Sequence, residues 1–595
     1  MLRARAATDP HAPAWWARSA GSGWHALTWQ QARDAVAVAA HGLRVLGLRR
    51  GDRVGLIASS SPQWDIAQFA VLAAGGVVVG LDPHDTEQRL AQMAHQCGLV
   101  GVVAQDETLL AKLSSECLGA LRFAVTLAGP SVGSAVAFGD LAELGTSDDG
   151  SEWDLSQPSD EALVIFTSGT TGEPKGIVYT HRQVCMAVST ILQTFAEIGP
   201  DSRLVCWLPL SNLFQRIINL CALGRGAQVY YVEDPRTVMD HVAEISPHLF
   251  IGVPRFYEKF YAGILDAIDT KPVWQRALAR WAIRAGERRA QAVHAGTRPG
   301  AIDHLAATLA DRLVLARVRG LLGRNIRFLV SGSAPMPAWL LERFHGLGFL
   351  VLEAYGMSEC IVPVAANTPH RYRFGTVGQP LEGLEVRLAA DGELLVRGPG
   401  VFTGYLGERG ASGRLGSDGF LASGDFARID EAGFVTLIGR KSDFFKTSTG
   451  RRIAPATIEG HLRRIPYVEH AVVVGANRPF LLAVLAVSGP VLASRAAQSA
   501  PNSGDLESHA AAVRADLAVA LADLPDYQRP AGVVLTTRPF TMAEGHVTPN
   551  LKVRRTQVEQ AFRPQINELG EAIARLPGTS LALSKEQGAV LLLSV

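Results

Sequence analysis

A short apolar run ends in a loop of glycine, serine and threonine, and this junction constrains the fold more than any other part of the sequence. Residues 163–166 are apolar enough for a buried strand, and residues 167–176 read TSGTTGEPKG. Glycine allows a backbone to approach a phosphate and to point N–H groups at it, and Lys175 adds a positive charge. The Walker A pattern GxxxxGK[ST] is not matched. We therefore expect a different kind of phosphate-binding loop, which follows a buried strand.

The residues before this loop alternate between two hydrophobic periods. Residues 29–46 and 67–74 have helical patterns, whereas residues 53–57 and 77–81 are short apolar runs typical of buried strands. This alternation predicts an α/β fold with layered elements and largely parallel strands.

The later part of the chain changes character twice. Residues 260–325 are helical and rich in alanine and arginine, which predicts an insert of amphipathic helices with a solvated face. After residue 377 the sequence is rich in strands and glycines, which fits a small β-barrel-like subdomain. We expect a large N-terminal domain of α/β subdomains over residues 1–440 and a smaller, mobile α+β domain over residues 441–595.

Composition narrows the possible classes of protein. A chain of 595 residues is too long for one core, and 48% hydrophobic with 19% charged residues indicates a globular protein. The chain has 57 Lys and Arg residues and 56 Asp and Glu residues. It therefore lacks the basic excess that is typical of nucleic-acid-binding proteins. The six cysteines form no CxxC pair, which argues against a zinc site or a disulfide framework. Residues 1–9 lack the apolar core of a secretory signal, and the apolar run 69–81 is too short to span a bilayer.

Five motifs occur in a fixed order along the chain. The loop TSGTTGEPKG, followed by YTH, is the signature of the adenylate-forming superfamily, which this chain resembles over residues 20–555. That superfamily includes acyl- and aryl-CoA synthetases, nonribosomal adenylation domains and beetle luciferases. The other segments resemble its adenine turn, its YGxTE motif, its ribose-binding pair and its C-terminal lysine motif: SGSAP at 331–335, YGMSE at 355–359, SGD at 423–425 with GR at 439–440, and TPNLK at 548–552.

The resemblance implies a role for each of these residues. Thr167, Lys175, Glu359 and Lys552 are expected to be catalytic, with Glu359 also binding Mg²⁺ and Lys552 bridging the substrate carboxylate and the α-phosphate. A carboxylate suits a hard cation that bridges ATP phosphates. The residues expected to bind the nucleotide are Ser168, Gly169, Thr170, Thr171, Gly172, Ser333, Ala334, Pro335, Tyr355, Gly356, Ser358, Asp425 and Arg440.

Two segments and the helical insert resemble the long-chain acyl-CoA synthetase branch. Residues 205–216 (VCWLPLSNLFQR) are similar to its LPLxHxxER motif, and residues 252–260 (GVPRFYEKF) to its VPRxxEK motif. The expected substrate-binding residues are Asn212, Leu213, Gly252 and Val253. The chain departs from the branch at three positions: Asn212 replaces the usual His, Gln215 replaces Glu, and Ser442 stands at the domain hinge.

The implied activity has two steps. A medium- to long-chain fatty acid reacts with ATP and Mg²⁺ to give acyl-AMP, and the C-terminal domain then rotates so that coenzyme A accepts the acyl group beside the loop 446–451. An acyl carrier protein as the acceptor, a degenerate nucleotide-binding protein and a luciferase-like oxygenase are the alternatives. The expected location is the cytoplasm, and a lipid substrate is compatible with peripheral contact at the inner face of a membrane.

Overall fold

The chain divides into two compact units, which we describe separately. The computed structural model describes residues 1–595 except 20, 22, 132, 134, 145–155, 169–173, 295–299, 408–412, 500–504, 542–543, 548–552, 576–581, 586–589 and 595. The first unit comprises Met1–Arg387, Leu395–Ser423 and Ile429–Thr436, and the second comprises Leu388–Leu394, Gly424–Arg428 and Leu437–Val595. A domain boundary after residue 440 stays a prediction.

The first unit contains the following strands: β1 (Pro13–Ser19), β2 (Gly23–Thr28), β3 (Arg53–Ile57), β4 (Val77–Leu81), β5 (Gly101–Ala104), β6 (Phe123–Thr126), β7 (Ala135–Ala137), β8 (Glu161–Ser168), β9 (Pro174–Thr180), β10 (Arg203–Cys206), β11 (Gln228–Tyr231), β12 (Leu249–Gly252), β13 (Phe328–Ser331), β14 (Val351–Met357), β15 (Cys360–Ala366) and β16 (Gln379–Pro380).

Its α-helices are α1 (Leu2–Thr8), α2 (Trp29–Val45), α3 (Pro62–Ala73), α4 (Glu87–Cys97), α5 (Glu107–Leu110), α6 (Ser115–Ala120), α7 (His181–Thr194), α8 (Leu213–Arg225), α9 (Val238–Ile245), α10 (Pro254–Asp269), α11 (Val273–His294), α12 (Ala301–Ala310), α13 (Ala316–Arg319) and α14 (Ala338–Gly346).

These strands form two largely parallel sheets. Among the described residues, one sheet has the order β7-β6-β5-β3-β4-β8-β9 and the other the order β16-β15-β14-β13-β12-β10-β11-β1-β2. In the first sheet β8 and β9 are antiparallel, and the strands from β7 to β8 pair in parallel. The layered α/β fold expected from the alternating pattern is confirmed.

The strands predicted from apolar runs are buried because helices follow them in the chain and cover the sheet. Every residue of β4 is buried, as expected for a parallel strand covered on both faces. The helix expected at residues 67–74 begins earlier, at Pro62. The side chain of Ser61 accepts a hydrogen bond from the Trp64 N–H, and proline suits the first helical position.

The second unit and the segment leading into it contain the strands β17 (Glu385–Leu388), β18 (Glu393–Arg397), β19 (Leu421–Ile429), β20 (Val435–Arg440), β21 (Phe445–Lys446), β22 (Arg452–Ile453), β23 (Val468–Val474), β24 (Leu482–Val487), β25 (Gly532–Thr536), β26 (Ala582–Lys585) and β27 (Val590–Ser594). The helices are α15 (Pro455–Leu462), α16 (Gly489–Ser499), α17 (Asp505–Ala520), α18 (Arg555–Ala561) and α19 (Arg563–Arg575).

Within this part, strands β17 to β20 form a sheet in chain order, and a mixed sheet has the order β23-β24-β25-β27-β26. The apolar tail of the chain supplies β27, which pairs antiparallel with β25. The α+β character expected of the C-terminal part is thus present.

In the part of the chain that the structure describes, no helix combines the length and the apolar character needed to cross a membrane. The six cysteines, all of which lie in that part, are free thiols.

Two glycines allow helices α11 and α14 to cross in direct contact. A Cβ atom added to Gly286 would lie 1.9 Å from the backbone oxygen of Gly346, and one added to Gly346 would lie 2.9 Å from Glu287 Cγ. Because backbone atoms on neighbouring helices cannot move aside independently, neither position accommodates a side chain.

We expect Gly286→Ala to destabilise the first unit by about 2–3 kcal/mol, because the added methyl group forces the two helices apart. Gly263→Ala in α10 is a matched control, since a Cβ there meets no atom within 4 Å. It should stabilise the protein by about 0.5–1 kcal/mol, because alanine has the higher helix propensity. Thermal unfolding of both variants measures the difference. Equal melting temperatures would show that the helices do not cross at these glycines.

Candidate active site

The predicted phosphate loop connects the two strands of a hairpin. Strands β8 and β9 pair so that Thr167 lies opposite Lys175 and Ser168 opposite Pro174. The tip of the hairpin, which contains Gly169, Thr170, Thr171 and Gly172, lies outside the described residues. The hairpin therefore places Thr167 and Lys175 side by side where the loop begins and ends.

Lys175 belongs to a cluster centred on a single carboxylate. The Lys175 ammonium lies over the Tyr405 ring, 4.8 Å from its centroid. The Tyr405 hydroxyl donates a hydrogen bond to Glu359 Oε1 at 2.7 Å, and Arg414 donates to the same oxygen at 2.6 Å. Arg414 also donates to the Tyr405 oxygen at 2.9 Å. We call these four residues the Glu359 cluster.

Backbone contacts hold the cluster in place. Glu359 lies in the turn between β14 and β15, and its carbonyl accepts a hydrogen bond from the Phe402 N–H at 2.9 Å. The Leu406 N–H donates to the carbonyl of Gly176, at 2.8 Å, in strand β9. Residues 402–406 therefore connect the YGMSE turn to the phosphate hairpin and carry Tyr405 between them.

A second connection runs directly between these two motifs. Tyr179 in β9 is completely buried, and its hydroxyl donates a hydrogen bond to the carbonyl of Ser358. A buried tyrosine hydroxyl requires such a partner, since an unpaired one would be costly. The predicted catalytic residues Thr167, Lys175 and Glu359 are thus joined by strand pairing, ring contact and hydrogen bonds within the first unit.

The cluster contains two residues that sequence reasoning did not assign. Burial, followed by the hydrogen bond to Glu359, raises the pKa of Tyr405 to about 12, so its hydroxyl remains a proton donor at neutral pH. The Arg414 guanidinium also donates to the carbonyls of Ala422 and Ser423, which fixes its orientation. Tyr405 ends residues 392–405, which read GELLVRGPGVFTGY, but its partners are distant in sequence, so no local pattern indicates its role or that of Arg414.

The predicted adenine turn begins where β13 ends. Ser333 adopts a left-handed backbone conformation with φ of 69°, which is uncommon for a residue with a side chain. Ser333, Ala334 and Pro335 are exposed on this turn. The Gly332 N–H donates to the Gly252 carbonyl at 3.2 Å and so connects the turn to β12.

A buried carboxyl group on the neighbouring strand β14 stabilises the turn. Glu353 in β14 accepts a hydrogen bond from the Met336 N–H at 3.0 Å, and burial raises its pKa to about 8. Tyr355 lies two residues further along the strand, so both side chains lie on one face of the sheet. Sequence reasoning missed Glu353, although an acidic residue within an apolar strand is a recognisable signal.

The predicted acyl-binding residues lie beside this turn. Gly252 ends β12, Val253 is the N-cap of α10, Asn212 is the N-cap of α8, and Leu213 is the first residue of α8. A Cβ atom added to Gly332 would lie 2.9 Å from the Phe214 ring, so the start of α8 packs directly against the adenine turn. These residues gather at the carboxyl ends of β12 and β13, where parallel α/β sheets bind ligands.

The departure at Gln215 has a structural reason. Its side-chain oxygen accepts hydrogen bonds from the N–H groups of Trp207 and Leu208 at 3.3 and 3.2 Å, and its nitrogen donates to Asn219 at 3.0 Å. Asn219 in turn donates to the buried carboxylate of Asp65. An ionised glutamate accepts but cannot donate, so the amide satisfies this network without a further buried charge.

The predicted ribose pair lies in the second unit. Arg440 Nε lies 3.0 Å from Asp425 Oδ1, and the Asp425 side chain is only 7% exposed. Ser442 follows in a short 3-10 turn over Lys441–Asp443. The C-terminal motif with Lys552 lies outside the described residues, so its catalytic role stays a prediction.

The donor set fits magnesium only together with a nucleotide. The described residues contain no group of three or more His, Cys, Asp or Glu side chains that could hold a metal ion. Glu359 supplies a single carboxylate. Mg²⁺ commonly binds through one or two carboxylates together with phosphate oxygens and water, and this chemistry is compatible with Glu359.

We predict that Glu353→Gln changes how stability depends on pH. The folded pKa of about 8 lies above the ordinary value of 4.5, so the folded state binds more protons than the unfolded state between these values. Stability from this group is therefore complete at low pH and declines as pH rises towards 8. Glutamine keeps the acceptor for Met336 without the titration. Relative to the variant, the wild type should lose about 2–4 kcal/mol between pH 5 and pH 8.

Thermal unfolding at several pH values measures this difference. Glu382→Gln serves as the control, because Glu382 is exposed and should leave the pH dependence unchanged. Parallel pH profiles for the wild type and Glu353→Gln would contradict a buried, proton-retaining carboxyl group.

Comparison with known proteins agrees with this geometry. Residues 2–406 match the AMP-binding enzyme family, and residues 442–573 match the AMP-binding enzyme C-terminal domain. The chain is 32% identical to the long-chain-fatty-acid–CoA ligase FadD15 of Mycobacterium bovis over 577 residues, which cover 92% of each protein. It is 28% identical to human long-chain-fatty-acid–CoA ligase 1, with 87% of this chain and 78% of that protein covered.

A solved structure shows the same fold. The A domain of carboxylic acid reductase from Segniliparus rugosus, in complex with AMP and a co-purified carboxylic acid, superposes with a TM-score of 0.74 at 18% identity. The match covers 96% of this chain and 94% of that one. The chain therefore belongs to the AMP-binding, adenylate-forming enzyme family, in its long-chain acyl-CoA synthetase branch.

Proposed function

We propose that the protein activates a medium- to long-chain fatty acid with Mg·ATP and transfers the acyl group to coenzyme A. The observation that carries this proposal is the Glu359 cluster, in which the phosphate hairpin and the YGMSE turn converge on one carboxylate. The names of the relatives, which are long-chain-fatty-acid–CoA ligases, support the fatty acid and the thiol acceptor.

In the first step a carboxylate oxygen of the fatty acid attacks the α-phosphorus of ATP. A P–O bond forms to the acyl oxygen, and the bond to pyrophosphate breaks. In this proposal Lys175 and Thr167 bind the leaving phosphates, and Ser358, which precedes Glu359 in the chain, is a nucleotide-binding residue. Donors fixed before the reaction stabilise developing charge without reorganising. Bound Mg²⁺ supplies charge neutralisation for the phosphates when Glu359 holds it together with the nucleotide.

In the second step the CoA thiolate attacks the acyl carbon, a thioester forms, and AMP leaves. Lys552 acts in the first step only, and the β21–β22 hairpin, with the loop 446–451, serves the second. Domain rotation near Ser442 exchanges the two poses, a form of conformational gating that orders the steps. An acyl carrier protein remains the alternative acceptor. The enzyme acts in the cytoplasm, where peripheral membrane contact gives access to its substrate.

A product assay tests the activity directly. The purified protein receives Mg·ATP and carboxylic acids from C2 to C18, with and without CoA, and mass spectrometry identifies the products. Acyl-CoA formed from the longer acids is the expected result. Acyl-AMP that accumulates in the presence of CoA would indicate that the acceptor is a carrier protein and not CoA. No AMP and no acyl-AMP from any acid would contradict the proposed function.

We expect Arg414→Gln to lower kcat/KM for ATP by about tenfold to a hundredfold, because Glu359 and Tyr405 lose the donor that orients them. The KM for the fatty acid should change little. Arg397→Gln is the matched control, since Arg397 pairs with Glu385 on an exposed surface, 42% and 63% exposed. Steady-state kinetics separate the two. An Arg414 variant as active as the Arg397 variant would exclude the cluster from nucleotide binding.

A further inference from the structure

The helical insert presents an apolar stripe to solvent. Helix α12, a π-helical turn at Asp311–Leu315 and α13 run consecutively along the chain. Ile302, Leu305, Leu309 and Leu313 recur at the i, i+3, i+7, i+11 spacing that places residues on one helix face. Their exposed fractions are 85%, 62%, 44% and 48%. A stripe of this kind normally packs into a core, so its exposure requires an explanation.

The preceding helix adds aromatic residues to the same helical hairpin, which we define as residues 273–294 and 301–319. Val273 and Trp274, at the start of α11, are 72% and 66% exposed, and Trp281 is 36% exposed. The opposite face of α11 is buried at Ala282 and Ile283. The solvated face of this amphipathic helix therefore mixes tryptophan with arginine.

This region also concentrates positive charge. Residues 271–324 contain eleven Lys and Arg against three Asp and Glu, a net charge of +8, whereas the whole chain carries +1. Each of the three acidic side chains already pairs with an arginine: Glu287 with Arg343, Asp303 with Arg288 at 3.1 Å, and Asp311 with Arg319 at 2.6 Å. Exposed arginines such as Arg284 and Arg312 add to this positive surface.

We propose that the helical hairpin docks on the surface of an anionic lipid bilayer, with the apolar stripe and the tryptophans inserted among the headgroups. Helices that lie in a membrane interface combine an apolar face with Trp or Leu and a basic face that attracts anionic lipid. Tryptophan is enriched at this depth of the bilayer. The inference deepens the proposed function and rests on it, since long-chain fatty acids reside in bilayers.

The observations favour a bilayer over other partners. A second copy of this chain would bring two surfaces of net positive charge together, and this repulsion opposes self-association. An acidic protein would satisfy the charge, but it would also have to cover an apolar stripe that runs for more than three helical turns. A fluid anionic interface satisfies both properties without a shaped groove.

Vesicle flotation tests the proposal with the full chain. The probes are vesicles of phosphatidylcholine alone and vesicles that also contain 30% phosphatidylglycerol. The wild type should bind only the anionic vesicles and should dissociate at high salt, because salt screens the charges. Arg284→Gln with Arg312→Gln should weaken binding about 25-fold, at roughly fivefold for each charge near the surface.

A second variant tests the apolar stripe separately. Trp274→Ser with Leu305→Ser should weaken binding to anionic vesicles by about tenfold or more, while the fold is retained because both side chains are exposed. Val519→Ser is the matched control, since Val519 is 79% exposed in α17, outside the hairpin. Acyl-CoA formation from dissolved octanoate should be unchanged in every variant, whereas turnover of vesicle-borne palmitate should decrease.

The outcomes separate the two proposals. Vesicle binding without acyl-CoA from any acid would overturn the proposed function and leave the docking surface intact. Normal turnover of octanoate without binding of the wild type to anionic vesicles would overturn the docking surface alone. Equal binding by the Trp274→Ser, Leu305→Ser double variant and by Val519→Ser would also overturn the docking surface. Sedimentation velocity that shows a dimer disrupted by the stripe variant would assign the stripe to self-association.

Discussion

The organisation of the site depends on the carboxylate of Glu359. It lies in a two-residue turn between antiparallel strands, yet a tyrosine and an arginine from a later segment donate to the same oxygen. A largely buried carboxylate with two such donors is held in one orientation. Because Tyr405 also lies beneath the Lys175 ammonium, the position of the phosphate hairpin is connected to the position of this single acid.

The neighbouring adenine turn is stabilised by a different kind of carboxyl group. Glu353 is buried without a cationic partner in the contacts described above, and its raised pKa favours the neutral acid. The two acids on β14 and its turn therefore have opposite electrostatic characters within six residues. Glu359 lies beside the Arg414 guanidinium, whereas burial disfavours a charge on Glu353. In this way a single fold gives two carboxyl groups separate roles.

The sequence predicts the parts of this molecule that depend on local pattern. Buried strands such as β4 and helices such as α2 are encoded in short segments, and the structure contains them. Tyr405 and Arg414 could not be assigned, because their significance arises from contacts with residues about 50 positions away. Gln215 was recognised as a departure, but its reason required the positions of Trp207 and Asn219. The sequence also could not predict which face of α11 is exposed. Periodicity shows that a helix has two faces, but not which of them the core covers.

The contact between Gly286 and Gly346 has a consequence for divergence within the family. Two residues separate helix α14 from the adenine turn, and α11 is held against α14 by the close backbone approach at these glycines and by the ion pair between Glu287 and Arg343. The outer surface of the insert is then free to change one residue at a time over generations. The inner surface is not, because any enlargement at either glycine requires a simultaneous change in the other helix. Residues on the exposed surface of the insert can therefore vary more readily among family members than the residues at its contact with α14.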